Sequence, residues 1–352
     1  MVEHTMRSSI LGVSARLLIV LCSLIPVSCG ESDMGVAFET ISPEEAGFSR
    51  EKLKAVEKHL ERAGSAAFLA LHDGRMFFSW GNLHRKYPAH SIRKAFLNSL
   101  YGIYVEQGVI DTSLTLAELG IDDIPPRLTK EEKQARVADL LRSRSGVYHP
   151  AAAEAAVMIH DRPERGSHRP GAFFYYNNWD FNVLGTIFEM ETGRDIFEAF
   201  EGEIARPLGM KDFRAGDGQD RYESEKSDHP AYHFWITAHD MGLFGLLYER
   251  NGKWNGRRLV PEAWIRETTR VHSVINRDVG VGYGCLWYAF LEEADLGPGF
   301  FHTGAGIHML GILPDLDLVF VHRVDTEKEN VRFTGGDLLT LLDLFLAARE
   351  DT

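Results

Sequence analysis

The sequence predicts an α+β fold in which a sheet domain is built from both ends of the chain and a mainly helical region is inserted between them. Two observations carry this reading. Strand-like segments bounded by turn residues occur before residue 90 and again after residue 280, whereas residues 91–270 read mostly as helices and long loops. Residues 29–90 and 271–352 are therefore assigned to the sheet domain and 91–270 to the inserted region.

The first element is an expected leader. Arg7 and Arg16 supply a basic start, and Leu17–Val27 is an apolar run of eleven residues, too short to span a bilayer and suited to a signal-peptide core. Ile25-Pro26-Val27-Ser28-Cys29-Gly30 resembles the lipobox of bacterial lipoproteins, with Pro26 where that motif usually has Leu. The expectation is an exported bacterial protein cut after residue 28, periplasmic or held at the membrane through a lipidated Cys29.

Ser49–Gly64 places Leu53, Val56 and Leu60 at helical spacing, with Ser49 as N-cap and Gly64 as stop. Ala66–His72 and Arg75–Trp80 read as strands joined through Asp73-Gly74, a pair that tolerates the positive φ of a tight hairpin. Helices follow at 95–107, 131–142, 178–192 and 238–250, the last capped by Thr237. Strands return at 284–290, 307–313 and 316–324, and Gly335–Arg349 is a final helix.

Composition excludes several classes. With 44% hydrophobic and 25% charged residues the chain is an ordinary globular protein, and its formal charge of -13 argues against a nucleic-acid partner. Loss of residues 1–28 removes Glu3, Arg7 and Arg16, a net +1, leaving about -14. Cys22 and Cys29 belong to the leader, so Cys285 stands alone in the folded body and no internal disulfide or cysteine metal cluster can form.

The common catalytic signatures are missing: there is no Gly-x-Ser-x-Gly, His-Glu-x-x-His, Walker loop or Gly-x-Gly-x-x-Gly. What remains is Ser91-Ile92-Arg93-Lys94 at the head of an apolar helix. A spacing of three puts the hydroxyl and the amine on one face, one turn apart. Burial among Phe96, Leu97 and Leu100 would lower the lysine pKa enough to make it a base. The other match, Ser49-Arg50-Glu51-Lys52, reads as a capped surface helix start.

Two further motifs follow in order, Tyr-x-Asn within Tyr175-Tyr176-Asn177-Asn178 and His302-Thr303-Gly304 before a strand. Ser-x-x-Lys, Tyr-x-Asn and Lys/His-Thr-Gly in this order resemble the serine hydrolases typified by class C β-lactamases, DD-peptidases and related esterases. Leu140-Leu141-Arg142-Ser143-Arg144-Ser145-Gly146-Val147 is similar to a further segment of that family. The resemblance spans nearly the whole mature chain. It implies a β-lactamase/transpeptidase-like fold, a mostly antiparallel sheet flanked by the terminal helices, with the site at the seam with the helical region.

The resemblance also implies roles. Ser91 would be the nucleophile, Lys94 its base and Tyr176 the proton relay, Tyr176 being chosen over Tyr175 by its nine-residue spacing to the Gly185 of Leu-Gly. Asn178 would orient Lys94 and a substrate amide. His302 would face a substrate carboxylate or leaving group, Thr303 would donate a hydrogen bond and Gly304 would allow close approach. The N–H groups of Ala305 and Ser91 would form the oxyanion hole. His302, where many β-lactamases have Lys, resembles the DD-peptidase and esterase branches and holds a carboxylate less firmly. The expected activity is hydrolysis of a small-molecule or peptide ester or amide (β-lactam, D-alanyl peptide, or small ester or amide) through an acyl-enzyme, without metal or cofactor. Two rival readings are a non-catalytic envelope binding lipoprotein that keeps the fold, and a metal-dependent hydrolase using His229 and His233. Tyr148 and His149 are further candidates for the cleft.

Overall fold

The computed structural model describes residues 36–292 and 298–350, all within the unit Met34–Thr352. The leader expected at residues 1–28 and Cys29 lie outside the described residues. The chain begins with α1 (Arg50–Ala63), β1 (Ala67–His72), β2 (Arg75–Gly81), β3 (Tyr87–Pro88) and α2 (Arg93–Glu106). The middle carries α3 (Val137–Leu141), α4 (Ala156–Asp161), α5 (Asn178–Thr192), α6 (Ile196–Phe200) and α7 (Arg206–Leu208). Next come β4 (Gly218–Arg221), β5 (Ala231–Ile236), α8 (Ala238–Glu249), β6 (Lys253–Trp254), β7 (Arg257–Arg258) and α9 (Glu262–Thr269). The chain returns through β8 (Ser273–Asn276), β9 (Val281–Tyr283), β10 (Tyr288–Phe290), β11 (Phe300–Gly304), β12 (His308–Leu313), β13 (Leu318–Arg323) and α10 (Gly335–Ala347).

Both ends of this unit build one sheet. Its eight strands run β2-β1-β13-β12-β11-β10-β9-β8, and every pairing is antiparallel, with Ala67 opposite Arg323 where the first strand meets the last. The β1–β2 turn has the predicted chemistry, with positive φ at Asp73 (50°) and Gly74 (73°). Strand β1 is apolar from Ala67 to Leu71 because both faces are covered there. Leu69 and Leu71 join the core beneath α8, while Phe68 and Ala70 join the core beneath α1 and α10.

Helix α8 reaches the sheet through Gly242 and Gly245, three residues apart on one face. A β-carbon would lie 2.6 Å from Leu69 at Gly242 and 2.5 Å from Val319 at Gly245. The region 91–270 thus also supplies a layer over the sheet, and its β4 and β5 form a second small sheet with β3, which precedes the region, in the order β3-β5-β4.

Two elements differ from the sequence pattern. Residues 131–142 do not form one helix, because Ala135 is extended (ψ 134°). Its carbonyl and that of Lys133 accept from Leu116 and Ala117, which draws the chain into a bridge with residue 115. Residues 284–290 are a strand only from Tyr288. Leu286 has φ 59°, and the N–H groups of Cys285 and Leu286 bond to Thr268 and Leu141 instead of a strand partner. Among the described residues no helix is long and apolar enough to cross a membrane.

Candidate active site

The candidate nucleophile sits where β3 hands over to α2. The Ala89 N–H bonds to Phe234 of β5 (2.8 Å), His90 takes the left-handed φ of 49°, and Ser91 lies in a short 3-10 turn ahead of Arg93. A non-glycine residue in that region costs on the order of 1 kcal/mol or more, so the turn must be held from outside. Two contacts hold it. The His90 ring nitrogen Nε2 lies 2.8 Å from the Thr326 hydroxyl. Gly304, at the end of β11, lies so close that a β-carbon would stand 2.8 Å from the Ala89 carbonyl oxygen.

Lys94 is fully buried, with Nζ 2.8 Å from Ser91 Oγ. Among the described residues the ammonium form has no carboxylate to support it. Phe181 and Tyr176 offer only ring faces, with centroids 4.4 and 4.9 Å from Nζ. Burial and then the charge of Arg93 push the amine well below its ordinary pKa, which favours the neutral form that can act as a base. Arg93 is itself buried, its Nη2 donating to Asn182 Oδ1 (3.1 Å) and its guanidinium 4.1 Å above the Tyr232 ring. It makes no ion pair among the described residues. Sequence reading passed over Arg93, although a cation inside an apolar helix was a visible signal.

Of the two candidate tyrosines, Tyr176 borders the Ser91–Lys94 pair. Burial pushes its phenol up to about 12, and the Ser91 hydroxyl, Arg93 and Tyr288 pull it part of the way back. It therefore carries its proton at neutral pH and can only relay one. Tyr175 points elsewhere, its hydroxyl donating to the Met158 carbonyl (2.5 Å). Tyr288, stacked on Tyr176 at 5.8 Å, is a member of the site that no motif indicated.

Asn178 does not make the expected bond to Lys94. Its Nδ2 donates to the Ala153 carbonyl (2.6 Å), in a loop where Ala153 has φ 58°, and its buried Oδ1 has no partner. His302 also departs from expectation. It is fully buried, and that burial above all holds it down to about 3. Its Nδ1 donates to the Thr303 carbonyl (2.9 Å), which leaves Nε2 as an unpartnered acceptor. A neutral acceptor cannot hold a carboxylate. Thr303 is half-buried and pairs with Met309, while Ala305 is exposed at the turn beyond Gly304.

The other candidates are structural. Both His229 ring nitrogens are engaged, with Thr186 Oγ1 (3.0 Å) and the Asp122 carbonyl (2.8 Å), so the His229–His233 pair does not make a metal site. His149 lies between the Pro150 and Ile124 carbonyls (3.0 and 3.2 Å). The Tyr148 hydroxyl lies 3.0 Å from His168 Nδ1. Gly146 (φ 72°) passes so close to the His168 carbonyl oxygen that a β-carbon would stand 2.7 Å from it.

Comparison with known proteins bears on the same segments. The Beta-lactamase family model matches residues 53–344. A protein of Escherichia coli with the provisional name D-alanyl-D-alanine carboxypeptidase is 25% identical over 230 residues, covering 53% of each chain. One of the same name from Salmonella typhimurium is 23% identical over 216 residues, covering 49% of each. The chain thus spans about half the length of these relatives. In fold it is similar to a 6-aminohexanoate-dimer hydrolase, so named provisionally, from Bacillus anthracis (TM-score 0.65, 17% identity, 90% of this chain and 87% of the other). It is also similar to a D-alanine carboxypeptidase from Burkholderia cenocepacia (TM-score 0.60, 13% identity, 87% and 100%).

Proposed function

The chain belongs to the Beta-lactamase family and is a serine hydrolase, and from that premise we propose that it cleaves small esters or amides through an acyl-enzyme on Ser91. The observation that carries the proposal is the 2.8 Å approach of the buried Lys94, whose amine is held well below its ordinary pKa, to Ser91 Oγ. Lys94 takes the hydroxyl proton as Oγ attacks the carbonyl carbon, and the oxyanion rests on the Ser91 and Ala305 N–H groups, each worth about 3 kcal/mol or more in the transition state. Tyr176 passes the proton from Lys94 to the departing alcohol or amine. Water then attacks the acyl carbon by the same relay in reverse, and the acid leaves. In this proposal Thr303 donates a hydrogen bond to the acyl group from the edge of β11, and Gly304 keeps that edge against the nucleophile turn.

The neutral His302 argues for substrates bound without a carboxylate anchor, which favours simple esters and amides. The names of the Escherichia coli and Salmonella typhimurium relatives favour a second reading, a D-alanyl peptide. Measured kcat/KM values for short p-nitrophenyl esters, a D-alanyl-D-alanine peptide and a chromogenic cephalosporin separate the two. The first reading expects the esters to lead, and a lead of tenfold or more for the D-alanyl peptide would overturn it. In either case Ser91→Ala should cost on the order of 10⁶-fold in kcat. We further propose export, with cleavage after residue 28 and lipid on Cys29. A diacylglyceryl cysteine at the mature N-terminus by mass spectrometry supports this, and an intact leader on the cellular protein contradicts it.

A further inference from the structure

We propose that His84, Asp212 and His239 form a transition-metal site of the kind that takes zinc, separate from the hydrolytic residues. The three come from distant segments: the β2–β3 connection, the loop between α7 and β4, and the first turn of α8. His84 Nδ1 lies 2.8 Å from Asp212 Oδ2, and the two imidazole rings are 4.9 Å apart. One ligand atom from each residue lies within 4.8 Å of the other two.

Asp240, fully buried behind the cluster, is a second and independent observation. Its Oδ2 accepts from the N–H groups of Asp212 (3.1 Å) and Phe213 (2.9 Å), fixing the loop that presents Asp212. Its Oδ1 lies 3.3 Å from His239 Nδ1. That proton directed at a carboxylate leaves His239 Nε2 as a lone-pair donor, the arrangement by which metal-binding histidines are oriented. The backbone is fixed as well: the His239 N–H bonds to the Leu83 carbonyl (3.1 Å) and the His84 N–H to Asn82 Oδ1 (3.0 Å).

Two imidazoles and one carboxylate are a borderline-soft donor set suited to zinc. Bonds of about 2.0–2.2 Å place tetrahedral ligands roughly 3.4 Å apart, so the His84–Asp212 pair, now at 2.8 Å, must open by about 0.6 Å to admit the ion and any wider separation, at most 4.8 Å, must close. His84, with its side chain 47% exposed, is free to make that movement. Asp212 and Asp240 supply two negative charges for a divalent ion, and the exposed side of the site leaves room for water ligands. Bound metal would tie the β2–β3 connection to α8 and to the α7–β4 loop.

The test uses the tag-free full-length protein, stripped with a chelator and titrated with zinc chloride in a calorimeter. One zinc per chain is expected, with a micromolar or tighter Kd and a Tm raised by about 4 °C at 100-fold saturation. His84→Ala and Asp212→Asn change surface side chains and should melt like the native protein without metal. Each should weaken zinc binding at least tenfold while labelling of Ser91 by a fluorophosphonate is retained. No stoichiometric uptake by the native chain, or native affinity in both variants, would overturn the proposal.

Discussion

At the scale of single residues the site is governed by which charges are tolerated. Arg93 is buried without an ion-pair partner among the described residues and sits between Ser91 and Lys94 in sequence, where its charge opposes protonation of Lys94. Removing that charge favours the ammonium and raises the Lys94 pKa. Arg93→Met should therefore move the acid limb of the kcat/KM profile to higher pH, and an unmoved limb would remove Arg93 from the mechanism. The spacing of Ser91, Lys94 and Tyr176 was legible because each depends on local geometry and a fixed order along the chain. The behaviour of Asn178 and His302 was not. Asn178 is captured by the Ala153 carbonyl from a distant loop, and His302 loses its charge to burial, which only the assembled fold reveals.

At the scale of elements, the end of β11 and the Ser91 turn act as one device. Gly304→Ala would set a methyl group 2.8 Å from the Ala89 carbonyl oxygen and 3.0 Å from His90 Cβ. We expect kcat/KM to fall roughly 10²-fold, since displacement of a catalytic group by about 1 Å costs that much. Thermal stability should fall by less than an active-site effect of this size implies. A variant with native kcat/KM would show that this contact does not position the oxyanion donors. Helices with their own caps were readable from sequence. Ser49 caps α1 by accepting from Lys52 (3.5 Å), and Thr237 caps α8 by accepting from Asp240 (3.0 Å). Segments 131–142 and 284–290 were misread because their hydrogen bonds go to residues 115–117 and to Thr268 and Leu141, partners that no local pattern indicates.

At the scale of the molecule, joining of both chain ends in one sheet followed from where the strand patterns fell, whereas the cover that α8 gives the sheet rests on two glycines whose close approach becomes visible only in three dimensions. The same burial makes stability depend on pH. His302 and His322 are held down to about 3, and His308 well below its ordinary value. Below about pH 6.5 the unfolded chain takes up protons that these three refuse when folded, so stability falls with pH by up to about 1.4 kcal/mol per unit for each. Asp180 opposes them, because burial raises its carboxyl well above the usual range and the folded form keeps a proton that the unfolded form loses. Burial also holds down His90, His233 and His272 and raises the carboxyls of Glu189, Asp220 and Glu249; six imidazoles against four carboxyls should lower Tm steadily between pH 6.5 and 4.5, and a flat Tm over that range would contradict the assignment of neutral histidines. The central claim, a serine activated by a buried lysine, is tested most directly by intact-mass spectrometry after exposure to a fluorophosphonate, with peptide mapping and Ser91→Ala as control. A single adduct on Ser91 that is lost in the variant is the predicted result. Folded native protein that stays unlabelled, or a label that persists in Ser91→Ala, would contradict it.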